Sequence, residues 1–522
     1  MSFQIVDVTV LILEKISDSA KIKFIKTSKE NYFYKDRIYF DSLIRHDLMI
    51  KNATNILVSE INIGHYFQKN IKKITIINNI CVRIPETVTH LTFGFGFNQN
   101  IKNCIPNCVT HLTFGQTFNQ NIKGCLPNSI KYLSFSQTDA EFVPANQRYI
   151  YSNHFNQDIK DSIPNSVKYL IFGDAFNQNI NDCLPKSLTH LVFGCFFNQK
   201  INNCLPKSLT HLVFGNDFNQ NINDCLPNSL THLVFGRNFN QNINSLPNSL
   251  THLAFGKCFN ANIDRLIPNT VINLKIREIS FSDTIIYIPK SLTHLTLDNL
   301  PNKNFEQYAP NITHLTLNVL HNASIEYIPN TITHLIFGSS FNNFLKKCES
   351  LVSYYHNKII RYIPDTVTYL VFGCSFNKNI KGCIPDSVTH LVFGQDFNQN
   401  IGDNDNTYMP PLLKILTFGY KFNQSIGNST TAHIPNSVTN LKFGYHFNCK
   451  IENRIPNCIT NLSFGHLFNQ DITNNIPNTI RYLTFGQNFN RNINTLISLP
   501  IIKLTLPRKY MPNKLKCDIK YI

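Results

Sequence analysis

The sequence predicts a repeat solenoid, mainly β, with a parallel sheet on its inner face, irregular returns, and a small α-helical segment ahead of it. Three observations predict this class. Proline recurs on a near-constant period: Pro85, Pro106 and Pro127 are 21 apart, and so are Pro164, Pro185, Pro206 and Pro227. The apolar spacing Leu-x-x-Leu-x-Phe recurs in step with it. The chain has 522 residues, whereas a single core stops growing at roughly 250–300, so either several domains or growth by repetition is required. A fixed period of roughly 20–30 residues marks a solenoid and overrides other fold assignments.

The period runs on through Pro247, Pro268, Pro289, Pro310 and Pro329, then Pro364, Pro385, Pro410, Pro435, Pro456 and Pro477. One unit runs from Leu205 to Ile222, with Leu209, Leu212, Phe214, Phe218 and Ile222 as its expected core. Side chains alternate along a strand. Leu212 and Phe214 therefore share one face, and His211 and Val213 the other. Gly215 is expected to end the strand in a left-handed or otherwise unusual backbone conformation. Pro206 and Ser208 open the next corner. Such a unit is too short for a long helix, and no turn buries its own apolar face, so stability comes from neighbours. Three turns between Pro268 and Pro329 replace Phe-Asn by Leu-Thr-Leu at the same spacing. Extra length appears at Ser136–His154, Asn343–Ile363, Gly402–Tyr408 and Gly427–His433, where insertions map to exposed loops.

Residues 1–60 do not fit the repeat. Val8, Leu11, Ile12 and Ile16 are periodic, Ser17 or Asp18 can cap a second helix carrying Ile22, Phe24 and Ile25, and Ser28–Phe33 begins a third. Short amphipathic helices need a surface against which to bury their faces, either a partner or the end of the solenoid. Ile61–Ile63 and Ile74–Ile77 read as degenerate first turns. The expected organisation is thus a helical segment at 1–45, a linker or degenerate repeats at 46–84, a solenoid of about 20 turns at 85–507, and a basic tail or cap at 508–522.

Several repeating columns imitate functional sites. Histidine precedes the strand leucine at positions 90, 111, 190, 211, 232, 252, 294, 314, 334 and 390, with Tyr132, Tyr169, Tyr369, Tyr482, Asn273, Asn440 or Asn461 elsewhere. Exchange for Tyr and Asn argues against metal ligation and for a polar, semi-exposed sheet face. On that face His190, Val192, His211, Val213, His232, Val234 and His252 are the expected contacts to a protein target. Cysteine recurs two residues before proline at positions 104, 125, 183, 204, 225 and 383. A linear column does not converge on a tetrahedral ion, so these read as small buried thiols, reduced and without metal. The asparagine after each phenylalanine reads as a structural amide at an irregular corner.

No Gly-x-Ser-x-Gly, His-Glu-x-x-His, phosphate loop or dinucleotide fingerprint is present, and no enzyme activity, cofactor or metal is expected. The formal charge of +16 is spread without a basic block. It permits weak contact with nucleic acid or acidic partners, but the aromatic residues sit at core positions, which disfavours stacking on bases. No apolar run reaches the roughly 18 residues of a membrane span, and Val8–Leu13 is too short for a signal segment. A cytoplasmic protein is expected.

The repeated Phe-Asn pairs, from Phe97–Asn98 and Phe118–Asn119 through Phe218–Asn219 to Phe489–Asn490, resemble the FNIP repeat family, named for Phe-Asn-x-x-Ile. That resemblance implies kinship with leucine-rich repeats and a family common in amoebal and giant-virus proteins. Leu11–Ile16, Ile22–Ile25 and Ser28–Tyr32 resemble an F-box, with Val6-Asp7 where that family opens on Leu-Pro and Tyr32 in place of a tryptophan. The resemblance implies that Leu11, Ile12, Ile16, Phe24 and Ile25 meet a Skp1-type adaptor of a cullin ubiquitin ligase, with the solenoid holding the target. The alternatives are a passive binding scaffold whose helical segment is only a cap, and a nucleic-acid binder.

Overall fold

In the computed structural model the described residues are 55–58, 73–76, 84–136, 153–261, 265–276, 288–298, 310–318, 328–342, 346–348, 359–361, 363–403, 406–428, 431–507 and 518–521. They fall in two compact units that divide between Ile276 and Arg277. The expected helices of residues 1–45 lie outside the described residues.

Each unit is a parallel β-solenoid resembling a leucine-rich repeat. In the N-terminal unit eleven strands pair in chain order, from Asn55–Val58 and Lys73–Ile76 through His90–Phe93 to Asn273–Ile276. In the C-terminal unit eleven more pair from His294–Leu297 through His314–Leu317 and His334–Phe337 to Lys503–Leu506 and Asp518–Tyr521. The first two strands fall in the stretch 46–84 read as a linker or degenerate first repeats, and the last falls in the stretch 508–522. The register is in phase with the repeat: His190 faces His211, Leu191 faces Leu212, and Val192 faces Val213. Among the described residues the helix is a single 3-10 turn, Asn494–Ser498.

The core follows from that register. Leu209 and Leu212, Phe214, Phe218 and Ile222 are all buried, as the alternation requires. The two phenylalanines of a turn stack on each other, 3.8 Å between ring centroids for Phe214 and Phe218. Each also stacks on its equivalent one turn on, at 5.6 Å for Phe214 with Phe235 and 6.1 Å for Phe218 with Phe239. The two turn-to-turn spacings lie in the favourable offset-stacked range. Fully burying an apolar side chain of this size stabilises by about 1.5–3 kcal/mol, and the two phenylalanines contribute beside Leu209, Leu212 and Ile222 in each such turn.

The corners are closed by side chains. The Asn219 carbonyl oxygen Oδ1 accepts the Asn240 backbone N–H at 2.9 Å, and Asn219 N–H is bound in the same way by Asn198 Oδ1. Gln220 Nε2 adds a second donor to Asn198 Oδ1 at 3.0 Å. Ser208 Oγ donates to the Leu188 carbonyl at 2.6 Å, and Ser229 Oγ to Leu209 at 2.6 Å. Asn221 Oδ1 accepts the Asn223 N–H at 2.8 Å, an Asx turn across Ile222. Three residues before the proline the backbone is left-handed, as at Asn103 (φ 60°), Asp182 (φ 55°), Asn203 (φ 54°) and Asp224 (φ 60°), in other turns at Gly124 and Gly382, and at Arg265 (φ 58°) as an exception in residue type. Asn, Asp and Gly are the residues that adopt this conformation at least cost.

Gly215 corrects an expectation. It is not among the residues of positive φ. Its glycine is required by close approach: a Cβ at Gly215 would lie 1.7 Å from the Gly194 carbonyl oxygen, and one at Gly236 would lie 1.8 Å from that of Gly215. The inserts form small antiparallel pairs, Lys346–Cys348 with Ile359–Arg361 and Gly402–Asp403 with Asn406–Thr407. Residues 137–152 of the first insert lie outside the described residues. In the turns that lack Phe-Asn and carry Leu-Thr-Leu in the strand, pairing persists, with Leu295 opposite Leu315 and Leu297 opposite Leu317.

The glycine column gives a test with an internal control. Gly215→Ala is expected to destabilise the protein by about 1–3 kcal/mol, the usual cost of overpacking, read as a lowered denaturation midpoint. Gly96→Ala, where a Cβ meets nothing within 4 Å, is expected to stay within about 0.5 kcal/mol of wild type. Equal effects at the two positions would contradict the close-approach account.

Candidate functional site

The sheet face opposite the core carries two rows. One holds the column before the strand leucine: His90, His111, Tyr132, Tyr169, His190, His211, His232, His252 and Asn273. The other holds the residue after it: Thr92, Thr113, Ser134, Ile171, Val192, Val213, Val234, Ala254 and Lys275. The structure brings the expected contacts His190, Val192, His211, Val213, His232, Val234 and His252 together on four adjacent strands in exact turn-to-turn register. All seven are half-buried. Leu11, Ile12, Ile16, Phe24 and Ile25 lie outside the described residues.

The histidines stack face to face. Ring centroids are 4.1 Å apart for His190–His211, His211–His232 and His232–His252, with interplanar angles of 15°, 13° and 10°. His90 and His111 stack at 4.1 Å, and Tyr132 and Tyr169 connect the two groups through contacts at 5.7 Å, 6.2 Å and 4.1 Å. In the C-terminal unit His294, His314 and His334 stack at 4.0 Å and 4.1 Å. Parallel rings hold their nitrogen lone pairs parallel, so two neighbours cannot both aim at one ion at the roughly 2.0–2.1 Å a metal needs. Among the described residues no group of three or more His, Cys, Asp or Glu is arranged to hold a metal.

Stacking also makes the histidines hard to charge. Burial, then the like-charged neighbours His211 and His252, push His232 down to about 4. His111 is lowered by burial and by Lys73 and Lys131, His90 by burial, His111 and Lys73, and His190 by burial and His232. His314 and His334 shift in the same direction, for burial first. At these six positions the neutral imidazole is favoured.

The cysteine column bonds within its own turn and, at Cys204, also to the turn before, where Cys204 Sγ donates to Asn181 Oδ1 at 2.6 Å. Cys183 Sγ donates to the Asn181 carbonyl at 3.0 Å and Cys204 Sγ to the Asn202 carbonyl at 3.0 Å. Burial first, then Cys225, Asp182 and Cys183, push the Cys204 thiol up to about 11. A thiol so protonated is a poor nucleophile and a poor metal ligand. Among the described residues the expectation of reduced thiols is corrected at Cys104, which is disulfide-bonded.

Sequence reading missed the threonine beside each histidine. Thr189, Thr210, Thr231 and Thr251 place Oγ1 2.9 Å from Nδ1 of the following His190, His211, His232 and His252. The signal was the invariant Thr-His pair of those turns, overlooked because attention fell on how often the histidine changes.

The FNIP Repeat family pattern matches residues 97–138, 155–196, 197–224, 218–258, 376–404, 428–466 and 468–509. A solved structure described as CroV588, a novel circular LRR protein, is 36% identical over 87% of this chain and 79% of that one, with a TM-score of 0.50. This chain belongs to the FNIP repeat family. Further solved structures that resemble this FNIP repeat protein include YopM from Yersinia enterocolitica WA-314, at 15% identity, 83% of this chain, 91% of that one and a TM-score of 0.35. No curated protein matches the chain. Among the described residues no helix is long and apolar enough to cross a membrane.

The lowered histidine values fix a sign. A group harder to protonate when folded lets the unfolded chain take up protons first, so its stabilisation is present above about pH 6.5 and is lost as pH falls towards the folded value. Thermal stability is therefore expected to fall between pH 6.5 and pH 4, and to fall less in His232→Phe, which keeps a stacked ring without the titration. Identical pH profiles for the two proteins would contradict the assignment.

Proposed function

We propose that this FNIP repeat protein is a non-catalytic recognition protein that holds a protein target on the sheet face of its N-terminal unit. One observation carries the reading. The repeated Phe, Leu, Asn, Ser and Gly of each turn are spent on the core, the corner bonds or the close approach between turns. The two rows of the sheet face are left as the extended, regular, half-exposed surface. Repeat solenoids use such surfaces to bind proteins.

The finer reading, a substrate-recognition subunit of an SCF-type (Skp1-cullin-F-box) ubiquitin ligase, is supported by the F-box resemblance of residues 1–45 and by its pairing with a recognition solenoid. In it Leu11, Ile12, Ile16, Phe24 and Ile25 contact a Skp1-type adaptor. Each such side chain contributes about 1.5–3 kcal/mol when buried.

The two layers separate in one experiment. Val192→Asp with Val213→Asp is expected to abolish capture of the wild type's target while circular dichroism stays unchanged, because neither side chain enters the core. Ile12→Asp with Phe24→Asp is expected to abolish capture of a purified Skp1-type adaptor and to leave target capture intact. Folded wild type that retains no adaptor would end the ligase reading and leave target binding standing. Target capture indifferent to both valines would end the binding-face reading itself.

A further inference from the structure

The hydrogen bonds behind the histidine column bear on which way its imidazoles carry their proton. The Thr189 carbonyl accepts two backbone donors, Thr210 N–H at 2.9 Å and His211 N–H at 3.0 Å. The Thr210 carbonyl is occupied in the same way by Thr231 at 2.9 Å and His232 at 3.0 Å. A carbonyl oxygen has two lone pairs, so the carbonyl is already saturated. The threonine hydroxyls do approach these oxygens, Thr210 Oγ1 at 3.1 Å from Thr189 and Thr231 Oγ1 at 3.1 Å from Thr210. That is long for an O–H···O bond, which favours about 2.7–2.8 Å. The same two hydroxyls stand 2.9 Å from Nδ1 of His211 and His232, and Thr89, Thr110 and Thr189 stand at the same distance from His90, His111 and His190. With the hydroxyl proton given to Nδ1 as acceptor, the ring proton sits on Nε2, across the ring from the threonine; with it given to the carbonyl, Nδ1–H donates to the hydroxyl instead.

The first arrangement gives the face a row of N–H donors. The strand residues of this face from His90 to Ile276 include no Asp or Glu. Beside the row stand the exposed ammonium groups of Lys73, Lys131, Lys168 and Lys275. The protein as a whole carries a formal +16.

We propose that the sheet face of residues 90–275 recognises an acidic segment of a partner protein, whose carboxylate and carbonyl oxygens accept from the histidine Nε2–H row while Lys131, Lys168 and Lys275 supply the opposing charge. The inference rests on the recognition reading above and names the chemistry of the target. Neutral donors suit this role because the neutral imidazole is favoured at His90, His111, His190 and His232, for the reasons already given. Hydrogen bonds to a charged acceptor are about twice as strong as neutral ones. The surrounding lysines give long-range attraction, which salt weakens.

The test uses the full chain and three fluorescent probes: a poly-glutamate peptide, a poly-glutamine peptide of equal length, and a single-stranded RNA of comparable charge. The expected result is saturable binding of poly-glutamate, salt-sensitive and at least about tenfold tighter than poly-glutamine. His190→Phe with His232→Phe keeps the rings stacked and removes two donors; it is expected to weaken poly-glutamate binding by about tenfold or more. Lys131→Gln with Lys168→Gln is expected to lower affinity and flatten the salt dependence. Selective 15N labelling of histidine supplies a readout independent of any partner, with Nε2-protonated shifts expected for the column. Four outcomes would overturn the proposal: equal binding of the two peptides, indifference to the histidine pair, Nδ1-protonated rings, or RNA bound more tightly than peptide through the same residues. If a target is captured on this face while poly-glutamate is ignored, the acidic chemistry fails and the recognition reading survives.

Discussion

Within each unit every turn lies against the next at the distance set by parallel strand pairing, about 4.8 Å, and every repeated side chain answers to that spacing. At the strand end the contact is closer than any Cβ allows, with Gly215 against the Gly194 carbonyl and Gly236 against that of Gly215. Flat rings fill the interior because stacked planes tolerate the spacing: Phe214 lies on Phe235, and Phe218 on Phe239. At the corner the sheet cannot continue, and Asn219 replaces its hydrogen bonds, each amide oxygen taking the N–H of the next turn. A change in any one column is felt by the turns on both sides.

The same spacing governs the surface. Identical residues are forced together, so a titratable residue repeated every turn meets its own like charge. At His232 burial and the like-charged neighbours favour the neutral ring. The thiol column shows the complementary case, with burial and nearby acidic groups and thiols holding Cys204 protonated. Repetition has thus removed the ordinary reactivity of both residue types, and what remains is a patterned surface suited to recognition.

Much of this was legible in the sequence, because alternation and period are properties of the backbone alone. Leu212 and Phe214 were placed inward and His211 and Val213 outward from spacing, and burial agrees. Misplaced or unseen features depended on what one turn does to another. Gly215 looks the same in sequence whether it serves a left-handed φ or a close approach. The left-handed Asp182, Asn203 and Asp224 share a column with Gly124 and Gly382, an Asn-Asp-Gly signature that is visible only once the turns are aligned on their prolines. The outer strands Asn55–Val58 and Asp518–Tyr521 lack the Phe-Asn signature, and pairing with a neighbour identifies them better than their own residues do. Cys104 was read from its column as a thiol, and a disulfide depends on a second cysteine that column spacing does not reveal. On the candidate face the histidines are legible as a column, but the contacts of the neighbouring threonine hydroxyls with the Thr189 and Thr210 carbonyls arise only from the register between turns.

The central claim is that the turn is the unit of structure and that register between turns, not the identity of any one turn, holds the protein together. Deleting residues 206–226 removes one period and joins Leu205 to Pro227 with every column still in line. Deleting 206–215 removes a similar kind of chain but breaks the columns. Chemical denaturation of the two, followed by circular dichroism, tests the claim most directly. The account predicts that the full-period deletion keeps its strand spectrum and a midpoint close to wild type, while the partial deletion loses cooperative unfolding of the N-terminal unit. Equal damage from the two deletions would contradict it.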